Sequence, residues 1–383
     1  MLNALILGGF ASGCGMRLLD PLLPMIAGDL KVEVASLSIL IAAFALAYGT
    51  GQIITGPLGD KLGKIRVLTV ALLLYGVLTM GGALVTGLPL LVALRAFCGL
   101  IGGAIIPLAM AWIGDTVPYA ERQAVIGRLL TGMVGAQLLA GPIAGVLGEF
   151  FGWRAAFIAC GGVALLAGLL LVKKQGPGLL RRESQGGSSG IGMAAWGRML
   201  SRPAARRLML AAAIDGFLLF GGAFPYLGSF LIQEFGLSAA GAGLVVAVFG
   251  LGSLTYTRLA KRLVSGFGEL KMVLFGGATL ALGLAALAIV PDWHLIILIQ
   301  LVFGMAFFTF HGVLQARATE ALPEARATSV AAFAMALFLG QSLGSVVFGQ
   351  IMGFAGYRTA FAIAAVAMLA LAIWTRASLR RPA

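Results

Sequence analysis

Long apolar runs alternate with short polar breaks along this chain. Twelve runs, at 3–27, 37–58, 67–86, 89–112, 129–148, 155–172, 208–232, 239–257, 272–290, 293–314, 327–350 and 359–375, approach the length of a bilayer crossing. About 20 apolar residues in a helix span roughly 30 Å of hydrocarbon. None of the runs shows the period-two alternation over about ten residues that marks a membrane strand. The pattern predicts an all-α polytopic membrane protein with twelve transmembrane helices. One polar interval, 173–206, is much longer than the rest. Rich in Gly, Ser, Pro and basic residues, it reads as a cytoplasmic linker. It separates an N-terminal six-helix bundle, 1–172, from a C-terminal one, 207–383. Trp196, Met199 and Leu200 suit a short interfacial helix inside it. The N-terminal run lacks a basic lead and continues into a full span, so it reads as an uncleaved first helix.

The two halves repeat. Shifted by 204, the stretch around 121–157 overlays the stretch around 325–361. Arg122 meets Arg326, Gln137 meets Gln341, Gly152 meets Gly356 and Arg154 meets Arg358. Two six-helix repeats in one membrane chain are a transporter architecture, with the substrate site near the midplane between them. Gly99 and Gly103, Gly141 and Gly145, and Gly340 and Gly344 are each four apart, a spacing that lets helix backbones approach closely. Loose GxG patterns lack a strand-turn-helix context, so no dinucleotide site is expected.

Composition agrees: 60% of residues are hydrophobic and 11% charged, with a net charge of +13. That surplus would suggest nucleic acid in a soluble protein, but its placement says otherwise. With a cytoplasmic N-terminus and alternating spans, 22 of the 27 Lys/Arg fall on the inner side, three on the outer and two inside helices. The positive-inside rule then puts both termini in the cytoplasm. Cys14, Cys98 and Cys160 lie in apolar runs and read as packing residues. No metal or nucleophile constellation exists, so neither a cofactor nor an enzyme is expected.

Three motifs resemble those of the major facilitator superfamily, over essentially the whole chain. "GPLGDKLGKIRVL", 56–68, is similar to the family's signature loop between its second and third helices: Gly56, Leu58, Asp60, Gly63, Lys64 and Arg66 match. "RAFCGLIGG", 95–103, resembles the fourth-helix motif. "QLLAGPIAG", 137–145, with Gly141, Pro142 and Gly145, resembles the fifth-helix motif of drug:proton antiporters, although Gln137 and Val146 stand where that family usually has glycine. Gly56 and Gly63 permit close helix approach and a tight turn, and the basic residues hold the loop inside and can meet lipid phosphate. Asp60 has no place in that account. The eleventh helix begins nearby in the expected topology, with Pro323 in its first turn. A carboxylate at that positive helix end would latch the halves on the inner side, as the resemblance also implies.

Four charges lie inside spans: Arg17, Asp20, Arg95 and Asp215. Ionisable residues at that depth default to function. Asp20 and Arg95 lie at similar depths, roughly 12 and 9 Å from the outer face at 1.5 Å per residue, and are expected to pair. Arg17 is one turn from Asp20 and can share its carboxylate. Asp215 and His311 are expected to be neighbours able to titrate. Gln137, Tyr226, Gln341, Phe220 and Phe224 are candidates to line the substrate cavity. The expected function is proton-coupled export of small amphipathic or drug-like compounds across a bacterial inner membrane, by a monomer. The alternatives are a proton symporter for a small organic solute and a transport-inactive membrane sensor.

Overall fold

In hydrocarbon every backbone N–H and C=O has to be satisfied within its own segment, so the apolar runs fold as helices. The computed structural model describes residues 1–176, 193–322 and 325–380, and among them every regular element is a helix. In chain order these are α1 (Leu2–Arg17), α2 (Leu23–Leu30), α3 (Ser38–Leu62), α4 (Lys64–Gly81), α5 (Leu88–Thr116), α6 (Tyr119–Phe151) and α7 (Trp153–Gln175). Then follow α8 (Met193–Ser201), α9 (Pro203–Asp215), α10 (Phe224–Phe235), α11 (Ala239–Phe267), α12 (Glu269–Ile289), α13 (Trp293–Glu320) and α14 (Arg326–Arg380).

Among the described residues, ten helical stretches are long and apolar enough to cross a membrane. The difference from the twelve expected arises at two places. The first expected span is divided between α1 and α2. The last two run on as α14, interrupted by non-helical backbone at Gly356.

Both halves interrupt their first helix, at matching positions. Residues 18–22 form a tight turn, in which the N–H groups of Asp20 and Leu22 donate to the carbonyls of Arg17 and Leu19 at 3.2 and 2.9 Å. Pro21 has no N–H to continue an α-ladder. In the second half, Gly216–Ala223 widens into a π-helix between α9 and α10, just ahead of Pro225. Pro225 stands at the repeat offset from Pro21. The two breaks meet: Gly228 of α10 lies so close to the backbone of Asp20 and Pro21 that a side chain there would collide.

Other pieces recur too. Gly63 ends α3 at φ +92°, and Gly268 ends α11 at +70°. Gly152 and Gly356 both take φ +80° with ψ near 160°, a region essentially confined to glycine that costs another residue about 1–3 kcal/mol. Arg154 donates to Asp29 at 2.7 Å and to the Val85 carbonyl at 3.0 Å, and holds the Asp29 carboxyl below its ordinary range. Arg358 approaches Glu234 at 3.7 Å and donates to the Val290 carbonyl at 3.0 Å. The paired glycines seat helices on backbone: Gly99 and Gly103 against the carbonyls of Phe44 and Tyr48, Gly340 and Gly344 against those of Ala213 and Phe217.

The expected linker helix is α8. Its Met199 is fully buried beside Ala205, Leu322 and Ala332, while Leu200 is exposed. Residues 177–192 of the linker, and Pro323, lie outside the described residues.

Candidate functional site

The turn after α1 sets Asp20 in the gap of a broken helix, three residues beyond Arg17. Arg17 Nη1 lies 3.3 Å from Asp20 Oδ2, and its Nε donates to Gln137 Oε1 of α6 at 2.9 Å. The guanidinium is covered by three rings of the second half: Phe220, Phe249 and Phe224, at 5.5, 5.8 and 5.9 Å. Arg17 is 8% exposed and Asp20 3%. A buried pair is costly to desolvate, and geometry decides whether that cost is recovered. Here an amide oxygen and three π-faces supplement the carboxylate; a desolvated cation–π contact adds about 2 kcal/mol. Gln300 of α13 completes the site. Its Nε2 donates to the Val246 carbonyl at 3.3 Å, while its Oε1 is buried without a partner. Arg17, Asp20, Gln137, Phe224, Phe249 and Gln300 surround a remnant cavity of about 10 Å³.

This arrangement corrects the expected pairing. Arg95 forms no ion pair with Asp20. Its Nη1 donates to the Gly15 carbonyl at 3.0 Å, and its guanidinium sits 4.0 Å over the Phe44 ring. Arg95 thus holds the end of α1 from beneath, and Arg17 supplies the countercharge. Tyr226 is also corrected from cavity lining to core: it is fully buried, donates to the Ser345 carbonyl at 2.8 Å and stacks on Phe348. Gln341 is buried, its backbone packed on Gly216 and Gly221 of the π-helical segment. Phe220 and Phe224 join the cage around Arg17. Phe249 and Gln300 escaped the sequence reading as site residues. For Gln300 a signal existed, since it lies one residue from the position that the repeat offset assigns to Arg95.

A second polar pair lies in the other half. His311 Nδ1 is 2.6 Å from Asp215 Oδ2, the neighbourhood expected from sequence. Asp215 is fully buried and its Oδ1 has no partner. The His311 ring stacks on Phe307 at 4.8 Å.

The charged signature stretch is a helix corner rather than a loop. Gly56 lies inside α3, and Gly63 alone makes the turn into α4. Lys64 Nζ sits 3.7 Å from Asp60 Oδ1 and 2.5 Å from Asp115 Oδ2 of α5. The first half therefore satisfies this cluster internally. Arg66 lines a cleft of about 420 Å³ between α3, α4 and α5 with Leu58 and Leu62.

The fifth-helix motif forms the seam between halves. Gly145 packs on the Ala239 carbonyl of α11, and Gly141 and Gly243 face each other, with Pro142 inside α6 between the two contacts. Glu149 Oε2 accepts from the Ala240 N–H at 3.1 Å. Across the other seam, Ser345 Oγ donates to the Ser38 carbonyl at 3.3 Å and Tyr48 meets Phe338 at 4.6 Å between centroids. These contacts lie toward the side opposite the start of α1, the far side. Toward the terminal side, Gly127 of α6 and Gly266 of α11 have nothing within 4 Å of a built side chain. The close contacts between the halves described here lie on the far side.

A sequence model of the Major Facilitator Superfamily matches residues 5–254 and 212–383. The chain is 25% identical over 375 residues, 97% of its length, to 88% of the uncharacterized MFS-type transporter YwfA of Bacillus subtilis (strain 168). It is 28% identical over 305 residues, 78% of its length, to 75% of the chloramphenicol resistance protein of Streptomyces lividans. Among solved structures, a bacterial homologue of the human lysosomal transporter Spinster, inward-facing and occupied, aligns with a TM-score of 0.79 at 20% identity, covering 99% of this chain and 96% of that one. With its helical architecture and a family model matched over nearly its whole length, the chain belongs to the Major Facilitator Superfamily and is a membrane transporter.

Proposed function

We propose that this transporter exports small amphipathic, drug-like compounds in exchange for protons, by rocking its halves, 1–172 and 207–383, about the central seam. The observation that carries this reading is the Arg17–Asp20 pair, buried where the two halves close on each other. The relationship to a chloramphenicol resistance protein supports the export direction. The 22 to 3 basic split makes the terminal side cytoplasmic, so the present arrangement reads as inward-open, in a monomer of the bacterial inner membrane. In this reading Asp20 is the coupling carboxylate. A proton on Asp20 removes the countercharge of Arg17, and a proton and a substrate compete for one carboxylate. Arg95 fixes the helix end that carries the pair. The symport alternative would instead have proton and solute bind together.

Reconstituted protein with an imposed pH gradient and a panel of amphipathic solutes tests the proposal. Asp20→Asn should abolish pH-driven accumulation and leave binding of neutral ligands largely intact. Substrate accumulation by Asp20→Asn protein, driven by pH alone, would rule Asp20 out. A second reading then takes over, in which the His311–Asp215 pair at 2.6 Å carries the proton.

A further inference from the structure

We propose that the Arg17 guanidinium is a tethered stand-in for the transported compound, and that the site it fills selects organic cations with apolar substituents. This rests on the transport reading above and adds the charge of the cargo. The groups described around the guanidinium are electron-rich: the Asp20 carboxylate, Gln137 Oε1 and the faces of Phe220, Phe224 and Phe249. The amide orientations follow from their hydrogen bonds. Gln137 accepts from Arg17 Nε, and Gln300 spends its Nε2 on the Val246 carbonyl, leaving Oε1 facing no donor. Arg17 is the one cation among the residues lining this cavity.

Without Arg17, one carboxylate, two amide oxygens and three aromatic faces remain. That is a receptor for a desolvated cation. An anion placed there would lie beside the Asp20 carboxylate and two amide oxygens, with the Gln137 amide –NH2 as the one uncharged donor the named lining side chains leave free. The cavity of about 10 Å³ admits no compound while Arg17 is seated.

The origin of each group gives this a mechanical consequence. Arg17, Asp20 and Gln137 belong to the first half; the rings and Gln300 belong to the second. Parting of the halves on the far side withdraws Arg17 from the rings. Return of the guanidinium then refills the cage as the far side closes, displacing a bound cation or closing the empty carrier without one. Arg17 is a specificity-determining residue in this scheme, acting by competition.

Tetraphenylphosphonium and tetraphenylborate have nearly the same shape and opposite charge, so their binding to purified protein in nanodiscs, with no gradient, isolates the sign of the site. The phosphonium should bind wild-type protein more tightly than the borate. Arg17→Gln should tighten phosphonium binding about tenfold, as expected when a competitor fills the competent site about nine-tenths of the time. Phe249→Leu should weaken phosphonium binding. Unchanged or weaker phosphonium binding in Arg17→Gln would overturn the proposal. So would tighter borate binding that Arg17→Gln abolishes, since Arg17 would then be an anion receptor. If Arg17→Gln does not fold, the ion pair of probes on wild type and Phe249→Leu decides: borate preference, or no loss in Phe249→Leu, overturns it. Cation selectivity without proton-driven transport would remove the exchange reading alone. Proton-driven transport of a neutral compound without cation selectivity would remove this one alone.

Discussion

Asp215 is fully buried, and of its two oxygens only Oδ2 has a partner, the His311 ring at 2.6 Å. Deleting one member of a buried pair strands the other and costs about 3–5 kcal/mol. His311→Ala should therefore lower the thermal unfolding temperature sharply in detergent, and adding Asp215→Asn should restore part of the loss. Unfolding of His311→Ala at the wild-type temperature would show that the contact carries no such coupling. At this scale the sequence was informative about identity and about the Arg17–Asp20 and Asp215–His311 neighbours, and misplaced one partner. Arg17, Asp20, Arg95 and Asp215 stand out because an ion in an apolar run is costly. The Asp20–Arg95 pairing failed because counting residues gives depth along a helix and says nothing of azimuth. The break at Pro21 re-aims Asp20, and Arg95 turns instead to the Gly15 carbonyl.

A helix corner decides the next scale. Gly63 compresses the charged signature stretch into a one-residue turn, which sets Asp60 beside Lys64. In this structure Asp60 pairs with Lys64 and not with α14; we propose that the expected latch forms when the terminal side closes and brings Asp60 to the start of α14. A charge at a helix N-terminus stabilises by about 0.3–1 kcal/mol when exposed and up to about 2 when partly buried. That shifts two conformers several-fold or more, so Asp60→Asn should slow turnover while leaving folded yield intact. Wild-type turnover with an unchanged population of the two states, measured by spin-label distances across the terminal side, would remove the latch. The helix breaks were written in the sequence but masked by its hydropathy. Pro21 and Pro225 stand at the repeat offset, yet both lie in runs apolar enough to read as continuous spans. Hydropathy measures partition into lipid and is blind to a missing N–H.

For the whole molecule, closure of the far side should be reversible. A β-carbon built on Gly353 lies 3.0 Å from that of Ala35 across the seam, near the roughly 3.5–4.5 Å of a disulfide. In a background lacking Cys14, Cys98 and Cys160, the pair Ala35→Cys and Gly353→Cys should crosslink on oxidation, stop transport and recover on reduction. Full turnover of crosslinked protein would exclude motion at this seam. Topology is tested separately: single cysteines at Ser188 and Gly87 should react with an impermeant thiol reagent from opposite sides, and labelling of both from outside would break the proposed orientation. By itself the sequence determined the helical class, the internal duplication, the expected sidedness and which ions are buried. These depend on local composition and on the energy of moving residues between water and lipid. Tertiary structure decided that Arg17 pairs with Asp20, that Phe249 and Gln300 complete the site, and that the halves close on the far side. Each of these depends on how helices distant in sequence rotate and lean on one another, and small residues at close backbone contacts set that geometry.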